Sequence, residues 1–322
     1  MSKIIYLLGA GASYGSREKE TGKIERGVPV INEFVKCIGD TINTVNDDFI
    51  KRELSWLKEI CEEYPTVDTY AKVLYAREGI NGLEYKRLKK AISIFLSLIQ
   101  TPNKRDPRYD LFLAALTQNG PSLPNNTSIL SWNYDSQLEF AYSKYLPNIQ
   151  NLNDLWQKLN VFNKTTHLKA NNNAFGIIKL NGTALLKDTD NKSIVDIYLK
   201  SYPLMDIYTV LNTLYRFDSS NIELGLSFSW EKNDTLLEYT KKVVADAESL
   251  IVIGYSFPNV NRDVDRDIIS RMENLKTIYI QDPNAKNIRG RIENVLTPVQ
   301  TTVRKVQIKE INDVTEFFIP QQ

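Results

Sequence analysis

The chain has 322 residues, 42% hydrophobic and 25% charged, a balance that supports a substantial buried core and excludes a disordered or fibrous chain. Forty Lys and Arg stand against 39 Asp and Glu, a net charge of +1, so no global field recruits nucleic acid or an anionic membrane. The amino terminus lacks a signal pattern and no apolar run approaches the roughly 18 residues a bilayer span needs; the expectation is a cytoplasmic protein with no membrane partner.

The first element is an apolar run from Ile4 to Leu8 that breaks into Gly9, Ala10, Gly11, Ala12 and Ser13. This is how a buried parallel strand ends in a tight turn opening a helix, and a turn without bulk lets backbone N–H groups approach a phosphate. Such turns also arise for packing alone. The third glycine, Gly15, falls one place late for the dinucleotide fingerprint, and the polar segment that follows lacks the strand a Rossmann unit continues with. Gly27, Val28 and Pro29 then form a rigid bend that either covers a ligand or simply leads into the helix NEFVKCIGDTI.

From 47 to 119 apolar residues recur at helical spacing: Phe49, Leu54, Leu57, Ile60 and Cys61, then Val67, Tyr70, Ala71, Val73 and Leu74, then Leu88, Ile92, Phe95, Leu96 and Ile99. Several helices in succession mark an insertion beside the sheet, because parallel α/β units normally return after one crossover helix. Asp68 reads first as a carboxylate at a helix N-terminus and second as a group facing a ligand. The two cysteines, Cys37 and Cys61, have no C-x-x-C partner, so they are expected as core thiols, with no disulfide framework and no zinc site.

The sheet resumes with TSILSW, followed by Asn133, Tyr134 and Asp135 at a helix start. Two polar side chains thereby sit at the carboxyl edge of the sheet, where α/β proteins bind ligands, and capping of the helix explains Asp135 equally well. His167, the one histidine, lies in a polar loop and is expected to be exposed rather than catalytic. AFGIIKL reads as a strand ending in Asn181, Gly182 and Thr183. Ile222 to Phe228 reads as a further strand or buried segment, and Asp234 to Leu250 as a helix. SLIVIGYSF ends in Gly254, Tyr255 and Ser256. KTIYIQ, the last clear strand, ends in Asp282, which either accepts from a ribose or caps the next helix.

The fold expected is therefore α/β: a Rossmann-like parallel sheet of about six strands with helices on both faces, formed by 1–46 and 120–322, with a helical insertion at 47–119. Its strand ends share one edge, which is the expected site. The set GAGAS, GVP, SWNYD, LNG and IGYSF, in that order, resembles the sirtuin-like family, in the branch found among bacterial defence proteins. The resemblance implies that Gly9, Ala10, Gly11, Ala12 and Ser13 cradle the pyrophosphate of NAD, that Pro29 borders the nicotinamide side, and that Gly254, Tyr255, Ser256 and Asp282 line the rest of the dinucleotide. Asn133 would hold the nicotinamide ribose, with Asp135 supporting the pocket. Asn181 stands where the family's catalytic histidine is found, and no cysteine zinc module can form, so the resemblance points to an NAD+ hydrolase rather than a deacylase. Such enzymes are gated effectors of anti-phage defence, so a homo-oligomer and an activating partner or trigger are expected. The alternatives are a weakly catalytic NAD or ADP-ribose sensor and a structural subunit of a defence complex.

Overall fold

The computed structural model describes residues 2–101, 104–117, 122–146, 148–149, 151–164, 174–188, 222–231 and 233–321. In chain order its strands are β1 (Lys3–Leu8), β2 (Ser16–Arg17), β3 (Ile24–Arg26), β4 (Thr127–Ser131), β5 (Val161–Phe162), β6 (Gly176–Lys179), β7 (Gly182–Asp188), β8 (Ile222–Leu226), β9 (Ala247–Ile253), β10 (Thr277–Gln281) and β11 (Gln307–Ile311). Seven of them make one sheet, in the order β11-β10-β9-β1-β4-β6-β5, and every pairing in it is parallel.

Strand β1 lies centrally because all six of its residues are apolar on both faces or buried, as a parallel strand covered from both sides requires. Ile4, Tyr6 and Leu8 enter one core and Ile5 and Leu7 the other, the period-two alternation of a strand. The first core is closed by α1 (Phe34–Thr44), α2 (Asp48–Glu63), α3 (Val67–Glu78), α4 (Leu83–Ile99), α5 (Pro107–Leu116), α6 (Gln137–Ser143) and α7 (Leu152–Lys158). The second is closed by α8 (Asp234–Val244), α9 (Arg262–Ser270) and α10 (Ala285–Glu293). Leu54, Leu57, Leu74, Phe95 and Leu113, from four successive helices, share a single apolar cluster with Tyr6 and Ile129 of the sheet.

The helix starts carry their own signals. The side chains of Asp47, Thr66 and Asp106 accept from backbone N–H groups in the first turns of α2, α3 and α5, and Pro107 opens α5.

Several elements differ from the sequence reading. The turn after β1 opens only a four-residue 3₁₀ helix, Ala10–Ser13. Gly15, at φ 67°, then turns the chain out into the β2–β3 hairpin, and the first long helix waits until Phe34. The helix from Asp234 ends at Val244, because Ala247 already begins β9. Strand β8 is present but pairs antiparallel with β7 outside the main sheet. The edge strands β5 and β11 are additions to the expected set: β5 has two residues, and β11 reads QIKEI, too polar for an apolar run.

Candidate functional site

Strand β1 has β4 on one side and β9 on the other. The chain leaves β1 for the first core and leaves β9 for the second, so the strand order reverses between these two neighbours, the position at which open α/β sheets form a ligand crevice. The glycines lie at the base of that crevice, and their reason is packing. A Cβ on Gly9 would lie 2.5 Å from Tyr255 Cα, and one on Gly11 would lie 2.8 Å from Gly254 Cα. Gly254, at φ 58°, has Ala12 N 2.4 Å from where its own Cβ would sit. The space beside Gly9 and Gly11 is thus filled by the opposite loop. Their N–H groups are filled as well: Gly9 donates to Ile253 O at 3.0 Å, Gly11 to Gly254 O at 2.9 Å, and Ala12 to Gly9 O at 2.9 Å. At this turn Ala10 is the exposed residue.

Asn133 closes the turn from the β4 side. Its Nδ2 donates to Gly9 O at 2.8 Å and to Ser13 Oγ at 3.2 Å, which commits both amide hydrogens and leaves the carboxamide oxygen as its remaining function. Ser13 Oγ also meets Tyr109 Oη, 2.9 Å away on α5. The second loop is drawn in beside it. Val28 N donates to Ser13 O at 2.8 Å, Gly27 adopts φ 85° with Ser13 O 2.5 Å from a built Cβ, and Pro29 is buried. Arg108, also on α5, donates to Gly11 O at 2.9 Å and pairs with Asp106, whose carboxylate accepts from Gly15 N at 2.7 Å.

Asn181 lies on the neighbouring loop, which follows the Asn133 loop through Leu180 N to Ser131 O at 2.9 Å and Ala184 N to Tyr134 O at 2.7 Å. Its Nδ2 approaches Trp132 O and Tyr134 Oη, each at 3.4 Å. Trp132 O can only accept, so the amide nitrogen must face it and the orientation of the carboxamide is fixed. Asn181 is 7% exposed, and among the described residues its Oδ1 has no hydrogen-bond partner. A buried acceptor left without a donor costs roughly 1–3 kcal/mol.

Tyr134, the middle residue of the Asn-x-Asp motif, donates its hydroxyl to Asp68 Oδ1 at 3.0 Å. Asp68 stands in the first turn of α3, where the acidic side chain was expected, and it reaches across to the sheet edge. Burial pushes the Asp68 carboxyl above its ordinary range, with the Tyr134 hydroxyl pulling the other way, and burial drives the Tyr134 phenol up strongly, reinforced by the Asp68 charge.

The remaining expected residues divide. Asp135 is buried and its Oδ1 accepts from Gln137 N at 3.0 Å, while Lys179 Nζ donates to its backbone carbonyl; it holds the start of α6. Tyr255 is buried against Trp132, ring centroids 6.1 Å apart, and donates to Asp265 Oδ2 at 2.8 Å. Trp132 Nε1 donates to the other oxygen at 3.0 Å. Ser256 is exposed beyond them. Asp282 accepts from Asn284 N at 2.8 Å and so shapes the turn into α10. His167 lies outside the described residues.

Cys37 and Cys61 are free and half-buried, and burial lifts their thiols to about 12 and about 11. Among the described residues no group of three or more His, Cys, Asp or Glu side chains is placed to hold a metal, and no helix is long and apolar enough to cross a membrane. A cavity of about 520 Å³ lies apart from the crevice, lined by residues such as Lys23, Lys36, Thr41 and Lys104. Cys37 lines it, and none of the strand-end residues Asn133, Asn181 or Tyr134 does.

No protein-family model and no curated protein matches the chain. Among solved structures, Sir2Tm bound to a propionylated peptide is similar at 15% identity over 97% of this chain and 87% of that one, with a TM-score of 0.40. A Sir2 in complex with the inhibitor EX-527, 2′-O-acetyl-ADP-ribose and a deacetylated p53 peptide is 13% identical over 97% of this chain and 88% of that one, with a TM-score of 0.41. A structure described as the structural basis of sirtuin substrate affinity is 15% identical over 97% and 89%, with a TM-score of 0.38.

Proposed function

We propose that the chain is an NAD+ hydrolase, cleaving the bond between nicotinamide and ribose to give nicotinamide and ADP-ribose. One observation carries the reading: Asn181 Oδ1, buried and unpartnered beside Tyr134, on the same strand-end edge as the Asn133 carboxamide. The chemistry asks for little more. Departure of nicotinamide leaves an oxocarbenium-like sugar, so the site needs a fixed ribose, a placed water and dipoles aimed at the developing charge. Asn133 Oδ1 would take a ribose hydroxyl, Asn181 Oδ1 would take a water or the neighbouring hydroxyl, and Ala10 at the apex of the glycine turn would meet the pyrophosphate. Pro29 would border the nicotinamide, with Asp135 holding α6 behind the pocket and Gly254, Tyr255 and Ser256 walling the crevice toward Asp282. Zinc and deacylation have no part in this reading. An effector that depletes NAD, as in bacterial anti-phage defence, fits it, with a homo-oligomer or a protein trigger controlling the activity.

A second reading keeps binding and drops turnover: Asn181 has no proton to exchange near neutral pH, which favours an NAD or ADP-ribose sensor. The purified full chain, alone and with candidate partners, is assayed for NAD loss and nicotinamide release, alongside calorimetry with ADP-ribose. The hydrolase reading expects both products and a loss of turnover of at least 100-fold in Asn133→Ala. Binding with no turnover under any condition would select the sensor, and neither binding nor turnover would remove the dinucleotide from the site.

A further inference from the structure

The hydrolysis proposed above releases a proton that neither Asn133 nor Asn181 can accept. As the C1′–N1 bond breaks, its electron pair leaves with nicotinamide, which departs neutral. The oxygen of water forms the new bond to C1′, and one of its two protons must go elsewhere.

We infer that Asp68 and Tyr134 form the proton-accepting pair of this site, serving a water held at Asn181 Oδ1. The geometry is a chain of three side chains from three segments: Asp68 on α3, Tyr134 after β4 and Asn181 after β6. The Tyr134 hydroxyl donates to Asp68 Oδ1 at 3.0 Å and lies 3.4 Å from Asn181 Nδ2. The phenol oxygen can accept as well as donate, and the contact from Asn181 is long at 3.4 Å, which leaves the oxygen free to accept from water. A water at this place donates one hydrogen to Asn181 Oδ1, satisfying that buried oxygen, and the other to Tyr134 Oη. When its oxygen bonds to C1′, the hydrogen directed at Tyr134 transfers to the phenol oxygen while the phenol's own proton passes to the Asp68 carboxylate. The tyrosine is neutral before and after, and Asp68 ends protonated. Both act on the water rather than on the sugar.

The surroundings suit a carboxylate that must gain a proton. Among the described residues no cation is paired with Asp68. Among the described residues, the charged and titratable groups that act on the pair are Tyr85 from α4, Glu231 from the turn after β8 and Tyr255 from the β9 loop. Glu231 is itself neutralised by Lys89 and Lys164, so it does not compete for the proton. Burial favours the protonated carboxyl, which makes ionised Asp68 a better base than an exposed aspartate.

The experiment follows NAD turnover by the full chain from pH 4 to pH 9 in the parent, Asp68→Asn, Asp68→Glu and Tyr134→Phe, with ADP-ribose affinity measured for each. The parent rate should rise with pH along one ionisation, because Asp68 must be unprotonated to act. Asp68→Asn should lower kcat by 100-fold or more and flatten that rise while ADP-ribose affinity stays within threefold. Tyr134→Phe, which removes only a hydroxyl, should do the same, and Asp68→Glu should recover part of the rate with the ionisation displaced. Difference infrared spectroscopy adds a readout independent of turnover: subtracting the acidification spectrum of Asp68→Asn from that of the parent should leave one carboxyl carbonyl component, and no such component would count against the pair. Parent-like rates and pH dependence in both Asp68→Asn and Tyr134→Phe would overturn the pair and leave the hydrolase reading intact. No turnover by the parent would overturn both.

Discussion

Asp265 is a carboxylate fixed by two donors, Trp132 Nε1 and Tyr255 Oη, inside the second core, and it is 2% exposed. Burial raises it from 3.8 to about 7, with those two hydrogen bonds acting in the opposite direction. The consequence for stability has a definite sign. Below pH 4 the folded and unfolded chains both hold the proton and the group contributes nothing. Between about 4 and about 7 the unfolded chain releases it while the folded chain keeps it, so stability falls as pH rises through that window. Three units of displacement correspond to something on the order of 4 kcal/mol. Asp265→Asn removes the ionisation and keeps the shape. Denaturant midpoints at pH 5 and pH 8 should therefore differ less in the variant than in the parent; an equal drop in both would mean that Asp265 is ionised throughout.

At the scale of elements, the start of α5 decides whether the glycine turn holds its form. Asp106 caps the helix, accepts from Gly15 N and pairs with Arg108, which reaches Gly11 O and Ala12 O. The Asp106 side chain is fully buried, and removing one partner of a buried pair leaves the other charge uncompensated at about 3–5 kcal/mol. Asp106→Ala should lose stability of that order in urea unfolding and weaken dinucleotide binding together; unchanged affinity would show that the turn does not depend on this clasp. None of this clasp was legible in the sequence. The strands were, because Ile4 to Leu8, TSILS and LIVI are apolar runs, and so was the shared edge, because each run ends in small or polar residues. The reason for the glycines was not, since Gly11 meets Gly254 only after more than two hundred intervening residues have folded. Asp68 was read correctly as a first-turn carboxylate, but its bond to Tyr134 belongs to the tertiary structure. Edge strand β11 was missed because solvent on its outer side removes the need for an apolar run.

At the scale of the whole molecule, the decisive feature is that the helical layer and the sheet share one core. Leu57, Leu74, Phe95 and Phe112 touch the same apolar cluster as Ile4, Tyr6 and Ile253, and the layer also supplies Asp68, Arg108 and Tyr109 to the strand-end edge. A lid that swings as a unit needs an interface it can leave cheaply, and exposing a core of fully buried Leu, Ile and Phe side chains costs about 1.5–3 kcal/mol for each. Control of the site is better sought in the loops bordering it than in rigid-body motion of α2 to α4. The same packing predicts that the chain unfolds as one cooperative unit despite its length, because the layer cannot melt without exposing one face of the sheet. Four tryptophans are placed to test this: Trp56 on α2, Trp156 on α7, Trp132 at the sheet edge and Trp230 after β8. Single-tryptophan variants should report one common urea midpoint, coincident with loss of helical circular dichroism. A Trp56 signal that moved at clearly lower urea than Trp132 would establish the layer as a separate unit, able to open while the sheet stays folded and so to act as a gate.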